Sequence, residues 1–149
     1  MKLRGHIKIC NKKKVIYEKD NLILDDGLYQ VIELLVGTSA IPIDGIEIGD
    51  SNTPALSTDT TLSSPIVGAI AGTSKAQTNN ILNCKSLFLA GDGTGTWAEL
   101  GLWTGTWAGP VFTKYKLLSR VILEPVIVKS AGTDLNITWT ITVERKIST

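Results

Sequence analysis

The clearest pattern in the chain runs from Leu135 to Val143. Leu135, Ile137, Trp139, Ile141 and Val143 take every second position, and Asn136, Thr138, Thr140 and Thr142 take the rest. A period of two sends neighbouring side chains to opposite faces of a strand, so the first set predicts a core face and the second a face toward water or a partner. Thr96 to Trp103 alternates in the same way, with Trp97, Glu99 and Gly101 set against Ala98, Leu100 and Leu102. Leu3 to Cys10 and Val15 to Tyr17 predict a β-hairpin over residues 3–18, joined through the polar connection Asn11-Lys12-Lys13-Lys14. Further strands are expected at Ile41–Ile48, Ile66–Ile70, Ile81–Ala90 and Leu117–Val128. Pro125, inside the last of these, suits an edge, a bulge or a bend because it cannot donate to a ladder.

One segment changes period. Leu28, Val31, Ile32, Leu35 and Val36 recur at three- and four-residue steps, which predicts a helix over residues 26–36. Asp25 or Asp26 is placed to cap its free amides and offset the positive end of its dipole, and Gly37 suits its C-terminal cap. So wide an apolar stripe is expected to pack against a sheet. Gly49 to Ser64 is rich in Ser, Thr, Asp, Asn and Pro, whose side chains compete for backbone hydrogen bonds, and it reads as a surface loop where a partner contact would sit. Gly91-Asp92-Gly93-Thr94-Gly95 reads as a tight hairpin turn. No Gly-Lys-Ser/Thr follows it, as a phosphate cradle requires, and it lacks the acidic ligands of a calcium loop. About eight strands and one short helix imply a mainly β, antiparallel sandwich or barrel-like fold, jelly-roll-like in kind, in a single domain spanning residues 1–149.

Charge and composition narrow the function classes. The net charge of +1 argues against a nucleic-acid binder that works by neutralising phosphates. No apolar run approaches the roughly 20 residues a spanning helix needs. The polar start, Met1 to His6, lacks a signal-peptide core, so maturation in a cytoplasm is expected. Cys10 and Cys84 are the only cysteines, each in an apolar context, and both are expected to stay thiols. His6 is the single histidine and has no acidic neighbour in sequence, so neither a Ser-His-Asp arrangement nor a zinc site is supported. Asp44, Glu47, Asp50 and Asp59 lack the paired spacing of glycosidase carboxylates. No catalytic, cofactor or metal residues are therefore assigned, and a non-enzymatic role is expected.

Two candidate features remain. Glu99 lies inside an apolar strand and must face water or find a donor, because an unpaired buried carboxylate is costly. Arg120 and Lys129, on later strands, are its candidate partners in a structural ion pair. Trp103 and Trp107 flank Thr104-Gly105-Thr106, and a loop there would expose them as contact residues, whereas Trp97 and Trp139 are expected to fill the core.

Several phrases, taken in order, resemble a family of small structural proteins of tailed bacteriophages. They are Asn21-Leu22-Ile23 with Asp26-Gly27 before a helix ending Leu34-Leu35-Val36-Gly37, Ile46-Glu47-Ile48-Gly49-Asp50, and a Thr/Pro-rich loop ending Asp59-Thr60-Thr61-Leu62. Then come Trp97-Ala98-Glu99-Leu100-Gly101-Leu102-Trp103, Ser119-Arg120-Val121, Pro125-Val126-Ile127-Val128-Lys129 and Leu135-Asn136-Ile137-Thr138-Trp139-Thr140-Ile141. The resemblance covers about residues 15–143, and the unit Trp103-Thr104-Gly105-Thr106-Trp107 departs from the family pattern. It implies a virion building block, assembled in the bacterial host cytoplasm as a homo-oligomer, commonly a trimer. Its partners would be other virion proteins, either the major capsid protein, as a head decoration or cement protein, or the proteins of the tail, collar or fibre. A rival expectation is a carbohydrate- or receptor-binding β-sandwich in which Trp103 and Trp107 stack on sugar rings.

Overall fold

A computed structural model describes residues 2–145. Nine strands and one helix follow in the order β1 (Lys2–Asn11), β2 (Lys14–Ile23), α1 (Asp25–Val36), β3 (Ile43–Gly49), β4 (Pro65–Gly72), β5 (Ser74–Thr78), β6 (Ile81–Phe88), β7 (Gly95–Ala108), β8 (Val111–Lys129) and β9 (Leu135–Glu144). They form one curled antiparallel sheet in the order β4-β3-β7-β8-β2-β1-β9-β6-β5. The curl brings its ends together. β4 turns directly into β5, and Ser86 Oγ on β6 donates to Gly72 O at 2.9 Å.

The half-barrel is filled from both sides. β1 contributes Ile7 and Ile9, β9 contributes Ile137 and Trp139, and β6 contributes Cys84 and Phe88. Facing them are Ile46 and Ile48 of β3, Trp97, Leu100 and Leu102 of β7, and Val121 and Leu123 of β8. Phe88 meets Trp97 edge to face, centroid to centroid 5.2 Å, which joins the two halves across the interior. The alternation of β9 holds as far as Ile141, while Val143 is exposed. Trp97 and Trp139 are fully buried, as their positions in the pattern predict.

The hairpin β1–β2 forms with its turn at Lys12 and Lys13 and extends past residue 18 to Ile23. The segment Trp103–Trp107 is not a loop. It continues β7, which pairs with β8 as far as Ala108 opposite Val111, so the reversal falls at Gly109-Pro110. The ladder skips residues between Glu99↔Ile122 and Trp97↔Ile127, a bulge that accommodates Pro125. The glycine-rich segment 91–95 is a turn but not a hairpin, because β6 pairs with β5 and β9 whereas β7 pairs with β3 and β8. β5, wholly exposed and polar at the sheet edge, carries no hydrophobic alternation by which to predict it.

The helix departs most from expectation. Its N-cap position is Leu24, with no side-chain cap bond, so Asp25 and Asp26 lie in the first turn; Gly37 ends it in the left-handed region at φ 75°. Of the predicted packing stripe only Val31 is even half-buried, and Leu28, Ile32, Leu35 and Val36 face solvent. The buried residues are instead Gly27 and Gln30. Gly27 lets the helix backbone close on β8, since a Cβ there would lie 2.4 Å from Leu118 O. Gly27→Ala should therefore destabilise the fold by about 1–3 kcal/mol through overpacking, although alanine is intrinsically the better helix former by about 1 kcal/mol. Urea unfolding measures this, and an unchanged or raised midpoint would show that the helix does not rest on the strand backbone.

Candidate functional site

The structure brings Glu99 and Arg120 together on the outer face of the β7–β8 ladder. Arg120 Nη2 donates to Glu99 Oε2 at 2.9 Å, and neither side chain is accessible to solvent. Gly49 stands opposite Glu99 in the β3–β7 ladder, where a Cβ would lie 2.5 Å from Glu99 Cγ, so glycine makes room for the carboxylate. A buried ion pair repays its desolvation only when further hydrogen bonds satisfy both groups, and here the loop of residues 50–64 supplies partners for the carboxylate and for both Nη atoms, while Arg120 Nε has none. Arg120 Nη1 donates to Pro54 O (3.3 Å) and Asp59 Oδ2 (3.0 Å), and Nη2 donates to Thr53 O (2.9 Å) and Ser63 Oγ (3.1 Å). Glu99 Oε1 accepts from Ser64 N at 3.2 Å.

The Thr/Pro-rich segment is therefore not a free surface loop. It is latched onto the sheet by Arg120, and Leu62 is buried beside Trp103, Leu117 and Leu24 in a second, small core on this outer face. Lys129 does not join the pair. It is buried, and its ammonium donates to Leu89 O at 2.8 Å, tying β8 to the turn after β6.

The tryptophans also differ from expectation. Trp103 is enclosed, and its Nε1 donates to Glu47 Oε1 at 3.0 Å while the Lys114 ammonium lies over its ring. Glu47 is itself buried and pairs with Lys114. Trp107 is half-buried, its ring tilted against Phe112 with the centroids 4.9 Å apart and Nε1 donating to Asp44 O. The continuation of β7 into a long hairpin enclosed these side chains, because every second position of the extension faces packed residues rather than solvent.

Cys10 and Cys84 lie two strands apart on β1 and β6 and remain free. Burial pushes the Cys84 thiol up to about 11. His6 has acidic neighbours across the hairpin, which its sequence context did not show: Nδ1 lies 2.8 Å from Asp20 Oδ1 and Nε2 lies 2.8 Å from Glu18 Oε1.

The feature that most resembles a site is the outer face of α1. Ile32, Leu35 and Val36 are 55%, 73% and 65% exposed, with Leu28 and Tyr29 beside them. The opposite face is fixed. Glu33 accepts from Lys116 Nζ at 2.5 Å and from Tyr115 OH at 2.9 Å, and Gln30 Nε2 donates to Ile41 O at 3.3 Å. A helix that presents uncharged, branched side chains to water offers an apolar surface of the kind found at interfaces. The signal in the sequence was Gln30, a polar residue inside the apolar stripe, together with Gly27.

The chain matches no protein-family model, and no curated protein and no solved structure matches it either.

Arg120→Met should cost about 3–5 kcal/mol, because it strands Glu99 as a buried charge, and should open the loop of residues 50–64 to proteolysis. The double variant Glu99→Leu, Arg120→Met should recover most of that loss. If the double variant is as unstable as the single one, the pairing is not what holds this face.

His6 gives a pH dependence. Hydrogen bonds to Asp20 and then to Glu18 raise its pKa above the ordinary 6.5. Its contribution is complete below pH 6.5 and is lost as pH rises through the raised value. Asp20, held low chiefly by its bond to His6, contributes above its ordinary 3.8 and loses this as pH falls through the lowered value. The side chains are largely solvated, so the change in stability will be small. An NMR titration should place the His6 midpoint above 6.5, with Asp20→Asn lowering it more than Glu18→Gln. A midpoint at or below 6.5 in the unmodified chain would mean that the bonds do not form.

Proposed function

We propose that this protein is a non-enzymatic structural component of a tailed-phage virion that assembles as a symmetric homo-oligomer, with capsid decoration or cementing as its role. The observation that carries the reading is the exposed apolar face of α1. In water, Leu28, Ile32, Leu35 and Val36 forgo the burial their side chains favour, at roughly 25 cal/mol for each Å² of apolar surface left wet. A second copy of the chain is the occupant that suits this face. The exposed positions carry no charge that would select an oppositely charged partner, and a helix stripe of this kind is self-complementary about a symmetry axis.

A stable interface buries about 800 Å² on each partner, more than three helical turns supply alone. Leu22, beside Leu28, extends the apolar area around the helix. The sequence phrases that resemble phage structural proteins supply the virion part of the reading. A tail, collar or fibre position is the alternative within it. For the glycan-binding alternative, the Trp103 indole is enclosed, which leaves the half-buried Trp107 as the member of its pair that reaches the surface.

Sedimentation and native mass analysis test the proposal, with the protein alone and mixed with empty capsids of the phage that encodes it. The expected result is a concentration-dependent oligomer that co-sediments saturably with heads. Ile32→Glu with Leu35→Glu should leave the thermal midpoint nearly unchanged and convert the oligomer to monomer. A wild-type chain that stays monomeric at high concentration would overturn the self-association. A stable oligomer that ignores heads would move the assignment to the tail.

A further inference from the structure

The two edges of the curled sheet are unlike. β4 is blunted: it begins at Pro65, its ladder with β3 is irregular between Glu47 and Gly49, and Gly68 sits in the left-handed region at φ 74°. β5 has none of these devices. It is exposed throughout, and among the described residues it pairs with β6 alone. Its one charge is drawn aside, since Lys75 Nζ donates to Ile43 O at 2.7 Å and to Asp44 Oδ1 at 3.3 Å.

The phase of the ladder fixes which backbone groups β5 leaves free. Val143 N donates to Asn80 O at 2.9 Å, so Asn80, Leu82 and Cys84 bond toward β9. Ile81, Asn83 and Lys85 bond the other way, to Thr78, Ala76 and Ser74. Lys75 and Gln77 therefore point both N–H and C=O away from β6, to the open edge. Their side chains lie on the inner face, opposite Cys84 and Leu82.

On this side, beneath α1, lies a chamber of about 280 Å³, open past the exposed Gln77, Asn79 and Asn80. Ile141, Leu82 and Gln77 form one row across β9, β6 and β5, and all three line it. A residue added to the row beyond Gln77 would put its side chain into the same space. Among the described residues no charged side chain lines the chamber, so it suits an uncharged, apolar group.

We infer that the β5 edge is a seat for an extended segment of another protein, which adds as an antiparallel strand and inserts a large apolar side chain, opposite Gln77, beneath α1. Free backbone groups at alternate residues, beside a pocket for one side chain, are the elements of strand addition. The partner residue opposite Lys75 is small, because the Lys75 side chain crosses to Ile43 there. A second copy docked edge to edge is disfavoured. β5 spans about 17 Å, and so short a seam falls below the about 800 Å² per partner of a stable interface, whereas a flexible segment fills the chamber as well. The inference does not rest on the virion reading, and it concerns a different surface from the outer face of α1.

The probe is the capped peptide Thr-Ala-Thr-Leu-Thr-Ala-Thr, titrated into the Ile32→Glu, Leu35→Glu variant so that peptide binding is separated from self-association. Heteronuclear NMR should show saturable shifts at Lys75, Gln77 and Leu82, with slower amide exchange at Gln77. N-methylation of the peptide's leucine, whose amide faces β5, should weaken binding about five- to tenfold. N-methylation of the threonine beside it, whose amide faces away, should not. Gln77→Pro removes an outward N–H and no bond to β6, as an edge strand tolerates, and should weaken binding to a similar degree, while Gln77→Ala should retain it. Absence of saturable shifts overturns the site. Methylated peptides that bind alike, whether both weakened or both unaffected, overturn strand addition. Undiminished binding when the peptide's leucine is replaced by alanine overturns the insertion beneath α1.

Discussion

The outer face of the β7–β8 ladder depends on one buried cation. Arg120 has no solvent to fall back on, so both of its Nη atoms take acceptors within the protein, while Nε has none. Four of those partners lie between residues 53 and 63, and Glu99 is the fifth. A segment whose composition favours turns thereby becomes a fixed layer. Once the loop is fixed, Leu62 can close over Trp103 and Leu117, so the second core is a consequence of the ion pair as much as of apolar attraction. Removing the charge on one side alone leaves the other stranded, which is why such pairs specify an arrangement more than they add to stability.

The sheet tolerates this second layer because glycine stands where the layers meet. At Gly101 a Cβ would lie 2.8 Å from both Leu62 and Leu117, so any larger residue would hold the loop off the sheet. Gly49 does the same for the Glu99 carboxylate. Inside the curl the logic reverses, and large side chains are used: Trp97, Trp139 and Phe88 fill the space between the halves.

The helix connects architecture to function. Its contact with β8 is made by the absence of a side chain at Gly27, by an amide at Gln30 and by an ion pair at Glu33, while most of its apolar surface is turned outward. That inversion gives α1 two roles at once, as one wall of an inner chamber and as an outer surface suited to a neighbour. A helix held by polar and close-packed contacts can present such a surface without shifting to bury it.

Much of the architecture was legible from periodicity. The alternation at Leu135–Ile141 and Trp97–Leu102 records a strand with one dry face, and that pattern exists because burial acts on each side chain locally. The helix and its glycine end and the first hairpin were legible as well, Pro125 marked an edge, a bulge or a bend, and Glu99 had either to face water or to find a donor. What periodicity could not carry is which face meets what. The stripe Leu28, Ile32, Leu35 and Val36 reads identically whether it packs on a sheet or on another molecule. Arg120 rather than Lys129 meets Glu99 because the ladder sets Arg120 opposite Gly101, two residues from Glu99, and Lys129 opposite Gly95, four residues away. Trp103 and Trp107 were enclosed only because β7 ran on to Ala108 and paired with β8. The sequence by itself determined the helix, most of the strands and the choice before Glu99 between water and a donor, since these are answered residue by residue. Partners, exposure and the chamber under α1 were decided by the tertiary structure, because each depends on residues far apart in the chain meeting at distances that no local pattern encodes.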